Sequence, residues 1–340
     1  MRHLLTIAFL LMATLSFAVN TKTYTVCESG GGCDYTTLQA AESAHDQDLV
    51  ANDSALTFEI QNTWASPDGA TDVDGWTTDA TRFLTITAVG AARASATWST
   101  TAYRAIVSAT IFTVSEAYTV IDGVQAQATL SNRQVVGIVI GGSNSTIKNC
   151  FLRGDGVATG VRVILVNNTS LTGIIIRNNV LIEGTGRGIW VAGAATGGVT
   201  ADNNTIEDCA TGIETTLGDT QIRNNIIWNA TTPLIGKFVE LSQENYTDAG
   251  SVSYGGCSDC GTGDQLSQSD PFVNLAGENY LLASGATAID AGQDLSGDFT
   301  DAIGGKTRDA NFDKGADEFI AAAAAGTTLE GVTLQGVTVE

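Results

Sequence analysis

Very few residues in this 340-residue chain could do chemistry, and histidine contributes almost nothing to them. The chain has two histidines, His3 and His45. If His3 leaves with an N-terminal export signal, His45 is the only imidazole, and no nucleophile motif stands near it. A Ser-His-Asp or Cys-His triad needs a positioned imidazole, so acyl transfer of that kind is excluded, as is a multi-histidine zinc or iron site.

Carboxylates, arginines and one tryptophan are left. Trp190 lies in Gly188-Ile189-Trp190-Val191 with Arg187 just before it. Arg162 in Gly160-Val161-Arg162-Val163 and Glu214 in Gly212-Ile213-Glu214-Thr215 take the outward place in neighbouring segments, after Val139. An indole between an arginine and a glutamate has the makings of a sugar platform. Its apolar face covers a pyranose ring while the neighbours hydrogen-bond hydroxyls. The same ring would serve equally as packing under a long loop such as residues 193–198. Glycoside hydrolysis needs two carboxylates roughly 5 to 9.5 Å apart. Glu183, Asp208 and Glu214 are the catalytic candidates by register, with Arg187 as the adjacent cation, although any acidic repeat offers such neighbours.

Calcium is the only cofactor for which ligands are in view, and none is required. Asp309, Asn311, Asp313 and Asp317 alternate with other residues as calcium loops do, but the glycine comes one place late and no glutamate stands at the twelfth position. Asp72-Val73-Asp74-Gly75 is a second, weaker cluster. Both read equally as solvated turns.

The first residues, Met1-Arg2-His3, then an apolar run from Leu4 to Leu15 and Ser16-Phe17-Ala18, have the pattern of a cleaved signal peptide. The run is too short for a membrane span, and no later stretch supplies one. The expected setting is secreted or cell-surface, where cysteines can pair. Cys27 with Cys33, and Cys257 with Cys260, are expected to staple local loops; a zinc site lacks its second half. The net charge of −21 argues against nucleic acid or an anionic membrane as partner and disfavours an unbridged polyanion.

The elements that must position these residues follow from a repeat. Ile147-Lys148-Asn149-Cys150, Ile176-Arg177-Asn178-Asn179, Ala201-Asp202-Asn203-Asn204 and Ile222-Arg223-Asn224-Asn225 align, with asparagine spacings of 29, 25 and 21. Ile121-Asp122-Gly123-Val124 would precede them, with Asp122 in the place of Asn149. Short alternating strands at this period, without intervening helices, describe coils of an all-β solenoid whose strands pair in parallel about 4.8 Å apart. Ile147, Ile176, Ala201 and Ile222 would point inward. Lys148, Arg177, Asp202 and Arg223 would point outward as a surface ion-pair ladder, and asparagines would stack at a turn. Cys150 falls in an asparagine column and Cys209 in another, two coils and about 10 Å away, beyond disulfide reach. Both are expected as buried thiols.

These repeats resemble a right-handed parallel β-helix of the pectate-lyase-like superfamily. The resemblance implies residues 1–18 as signal peptide, 19–54 as an N-terminal cap with a short helix near Asp34–Ala41, 55–240 as coils, and 241–319 as a C-terminal closing module. That module, from Asp270-Pro271-Phe272-Val273 to Asp317-Glu318-Phe319, resembles the choice-of-anchor type Q module. Residues 320–340, Ala-rich and then β-prone, read either as a frayed tail or as a segment for self-association. The chain lacks the Gly-His-Gly motif of the superfamily's galacturonan hydrolases and the Arg/Pro signature of its pectate lyases. The function expected is therefore non-catalytic contact with extracellular polysaccharide through Arg162, Trp190 and Glu214. A polysaccharide lyase or glycosidase, and a structural adhesin or fibre component, are the alternatives.

Overall fold

The computed structural model describes residues 18–28, 32–129, 136–154, 161–182, 185–192, 198–216, 220–239, 241–255 and 257–321. Most of the segment expected as an export signal, Glu183 and the tail beyond residue 321 lie outside them.

Alternation builds the coils. In the first sheet, Ile121, Ile147, Ile176, Ala201 and Ile222 pair in parallel, one per coil. All are buried, and their neighbours along each strand face outward. Each full coil passes from this eight-stranded sheet to a seven-stranded second sheet and then to a seven-stranded third. The coil Thr119–Asp122, Gln125–Ala128, Val136–Ile140 shows the order. The result is an all-β parallel solenoid with a continuous apolar interior.

First-sheet pairing begins earlier than the repeat suggested, with Asn20–Val26 against Ser54–Ile60. The helix falls at Leu38–His45, where Thr37 Oγ1 accepts from the Ala40 N–H and Leu38 and Ala41 are buried. His45 is structural: its Nε2 lies 2.7 Å from the Tyr35 hydroxyl, and its ring stacks on Tyr24.

The corner between the first and second sheets requires a left-handed residue in each coil. Gly123, Asn149, Asn178, Asn203 and Asn224 supply it, with φ between 52° and 75°. Gly123, not Asp122, is thus the counterpart of Asn149, and Asp122 pairs with Lys148. The stacked ladder is made by the following residue. Asn179, Asn204, Asn225 and Asn245 are buried and bond amide to amide at 3.0–3.1 Å. Cys150 takes the next place in that column, its N–H donating to Asn179 Oδ1. Cys150 and Cys209 are buried and stand outside any disulfide, and the Cys27–Cys33 and Cys257–Cys260 disulfides are formed.

The left-handed asparagines turn their amides outward, onto the segment after residue 290. Asn149 and Asn178 donate to Asp301, Asn203 to the Asp313 carbonyl and Asn224 to the Gln293 carbonyl. The C-terminal segment therefore lies lengthwise along the solenoid. Phe272, Tyr280, Leu282 and Ile303 pack on the outer face of the second sheet against Phe151, Val180, Ile226 and Tyr246, forming a second core. The expected surface ladder of Lys148, Arg177, Asp202 and Arg223 is partly covered by this segment. Lys148 pairs with Asp301 at 2.8 Å, and Arg223 with Asp202 at 2.5 Å and Asp298 at 3.0 Å.

Candidate binding site on the third sheet

Three strands position the site: Arg162–Val166, Arg187–Val191 and Thr211–Thr215. Their register sets Ile164, Ile189 and Ile213 inward in one column, and Leu165, Trp190 and Glu214 in the next. Arg162 pairs with Arg187, not with Trp190. The misreading comes from the alternation of Val161-Arg162-Val163, which fits two registers. The strand's true inward marker is Ile164, and Val163 stands where the other coils have Gly137, Gly188 and Gly212. A Cβ on Gly188 would lie 2.5 Å from Ile206 Cγ2 and 2.7 Å from the Gly212 carbonyl oxygen, so this crowded place favours glycine.

Although one register away, Arg162 still reaches the indole. Its guanidinium carbon is 4.0 Å from the Trp190 ring centroid, and that of Arg187 is 4.9 Å away. Each is within cation–π range, worth about 0.5–2 kcal/mol. Arg187 Nε also pairs with Glu214. The indole is therefore not presented as a bare apolar platform: guanidinium groups lie over it. Burial, then the neighbouring Arg187 charge, lowers the Arg162 pKa. Among the described residues nothing accepts from Arg162 Nε or Trp190 Nε1, both buried. The cluster thus holds two guanidiniums against one carboxylate. It is equipped to hold oxygen acceptors.

Among the described residues, the catalytic candidates stand on different elements. Glu183 lies outside the described residues. Asp208 is exposed, in the left-handed corner after the second sheet, and accepts from Asn229 Nδ2 at 3.2 Å. Glu214 stands mid-strand on the third sheet, bound to Arg187. The most perturbed carboxyl in this region is one that sequence reasoning passed over, Glu207. Burial, then the adjacent Asp208, raises it to about 7, and the Tyr280 hydroxyl donates to its Oε2 at 3.2 Å. Its outward place in Thr205-Ile206-Glu207 was visible in the sequence, but its cover by Tyr280, 73 residues on, was not.

Three of the residues considered for calcium accept hydrogen bonds from the protein. Asp313 accepts from the Asp290 and Phe319 N–H groups. Asp317 accepts from Leu282 N–H and pairs with Lys306, while Asp309 accepts from Asn311 N–H. Asn311 is exposed. The buried Arg308 lies among these turns, pairing with Glu318 at 3.0 Å and bonding Asn178 Oδ1 at 2.9 Å. Among the described residues no three His, Cys, Asp or Glu side chains converge as a metal shell.

Residues 108–260 match the family model described as the right handed beta helix region. Together with the register above, this makes the fold a right-handed parallel β-helix. Among solved structures, the crystal structure of pectate lyase Pel9A is similar at 12% identity, over 88% of this chain and 97% of that one, with a TM-score of 0.44. No curated protein sequence matches the chain. No helix among the described residues is long and apolar enough to cross a membrane. The two disulfides fit an extracellular setting.

Proposed function

We propose that this protein is an exported, non-catalytic β-helix that contacts extracellular polysaccharide through Arg162, Arg187, Trp190 and Glu214. The Arg162 and Arg187 guanidiniums held over the Trp190 indole, with Arg187 paired to Glu214, carry this reading. A hydrogen bond from a charged donor to a ligand oxygen is worth about 1.5–3 kcal/mol. Sugar hydroxyls, ring oxygens and carboxylates are such acceptors. Coils about 4.8 Å apart set Leu165, Trp190 and Glu214 in a row, suited to an extended chain. The excess of guanidinium over carboxylate would admit an acidic sugar without a bridging cation, despite the charge of −21. No cofactor is needed for such contact.

A glycan array probed with the mature chain, followed by turnover assays on every bound glycan, tests the proposal. Binding without released products is expected, with a loss of tenfold or more in Arg162→Ala, about the worth of one hydrogen bond to a charged group. Released products would replace the proposal with a lyase or glycosidase. An array without signal would discard it.

A further inference from the structure

We infer that the groove between the first sheet and residues 297–299 is a second ligand site, built for a neutral, hydroxyl-rich sugar. It lies on a different sheet from the Trp190 cluster and stands independently of it.

The C-terminal segment does not lie flush on the first sheet. It leaves a groove of about 600 Å³, lined by Ile175, Thr200, Gln221, Arg177, Asp202, Arg223, Leu241 and residues 297–299, within the usual size of small-molecule sites. Ile175, Thr200 and Gln221 are register partners, one per coil. They set an apolar, a hydroxyl and an amide side chain along one line at steps of about 4.8 Å. Leu241 is 58% exposed and adds an apolar surface.

The charges in this groove balance. Asp202 and Asp298 hold Arg223 through bonds of 2.5–3.0 Å. Arg177 is held loosely. It lies 3.6 Å from Asp301 Oδ1 and 3.4 Å from the Asp298 carbonyl, stacks 4.7 Å over Phe299, and has no acceptor for its buried Nε among the described residues. Two arginines face two aspartates, so an anion would meet Asp298, 57% exposed, and a cation would meet both guanidiniums. A neutral ligand avoids both penalties. Its hydroxyls can accept from Arg177 and donate to Asp298, while its C–H face lies on Ile175 and Leu241.

The test uses the full mature chain carrying Arg162→Ala, which weakens the third-sheet contact. Calorimetry would titrate it with hexasaccharides of glucose, mannose, xylose and N-acetylglucosamine, and with hexagalacturonate. At least one neutral probe should bind. Adding Leu241→Arg, which blocks the groove from an exposed position and spares the fold, should weaken it at least tenfold, and Arg177→Ala should do the same. The inference is overturned if no neutral probe binds in this background, if only hexagalacturonate binds, or if Leu241→Arg leaves affinity unchanged while melting as the parent does.

Discussion

Replacing Asn204 by alanine should cost the protein about 4–6 kcal/mol. Asn204 is fully buried in the inner ladder. Its Oδ1 accepts from Asn179 N–H at 3.1 Å and Asn179 Nδ2 at 3.0 Å, and its Nδ2 donates to the Ile176 carbonyl at 2.9 Å and Asn225 Oδ1 at 3.1 Å. Some partners keep a second bond. Asn179 Nδ2 still reaches the Ile147 carbonyl, and Asn225 Oδ1 still accepts from the Asn204 N–H. The Asn179 N–H loses its side-chain acceptor and is orphaned, at about 1–3 kcal/mol, and each remaining lost bond adds about 1 kcal/mol. Urea unfolding followed by fluorescence would read this as a lower midpoint at unchanged slope. Asn204→Asp should be worse at pH 7 than at pH 4, because it aims a buried carboxylate at a carbonyl and at another acceptor. A loss below 1 kcal/mol for alanine would refute the ladder as a source of stability.

Other consequences follow from the same contacts. Glu207, raised from 4.5 to about 7, favours its protonated form in the fold. Its contribution is complete below about pH 4.5 and is lost as pH rises through 7. Glu207→Gln should flatten that fall and gain up to about 3 kcal/mol at pH 8; parallel pH profiles for the two proteins would argue against it. Arg308→Met leaves Glu318 without its buried partner, at about 3–5 kcal/mol, and should speed proteolysis within residues 270–319. Cleavage at the parent rate would contradict that docking role. Gly188→Ala forces a methyl into Ile206 and the next coil's carbonyl and should lower stability by about 1–3 kcal/mol in a denaturant melt. Cys150, its thiol pushed up to about 12 by burial, should resist alkylation until the protein unfolds; rapid native labelling would show the core to be open there.

The coils were legible because period and alternation are local properties. Ile147, Ile176, Ala201 and Ile222 face inward as their spacing predicts. Register was less secure wherever two alignments satisfied the same alternation. Arg162 was displaced for that reason, and Asp122 was matched to Asn149 on polarity when the corner selects for left-handed backbone, which Gly123 adopts. Paired asparagines in three coils likewise hid a division of labour. The first makes the turn and holds the C-terminal segment; the second carries the ladder. The outer packing was not legible at all. That Tyr280 covers Glu207, and that Asp301 answers Lys148, depends on contacts separated by 73 and 153 residues, which no local pattern encodes.

The most direct test of polysaccharide contact through the third sheet is the dissociation constant of the best-bound glycan for Arg162→Lys. Lysine keeps the charge beside Trp190 but removes the planar guanidinium and its fork of donors. The account predicts weakening of at least tenfold with an unchanged melting temperature. An unaltered dissociation constant would contradict it.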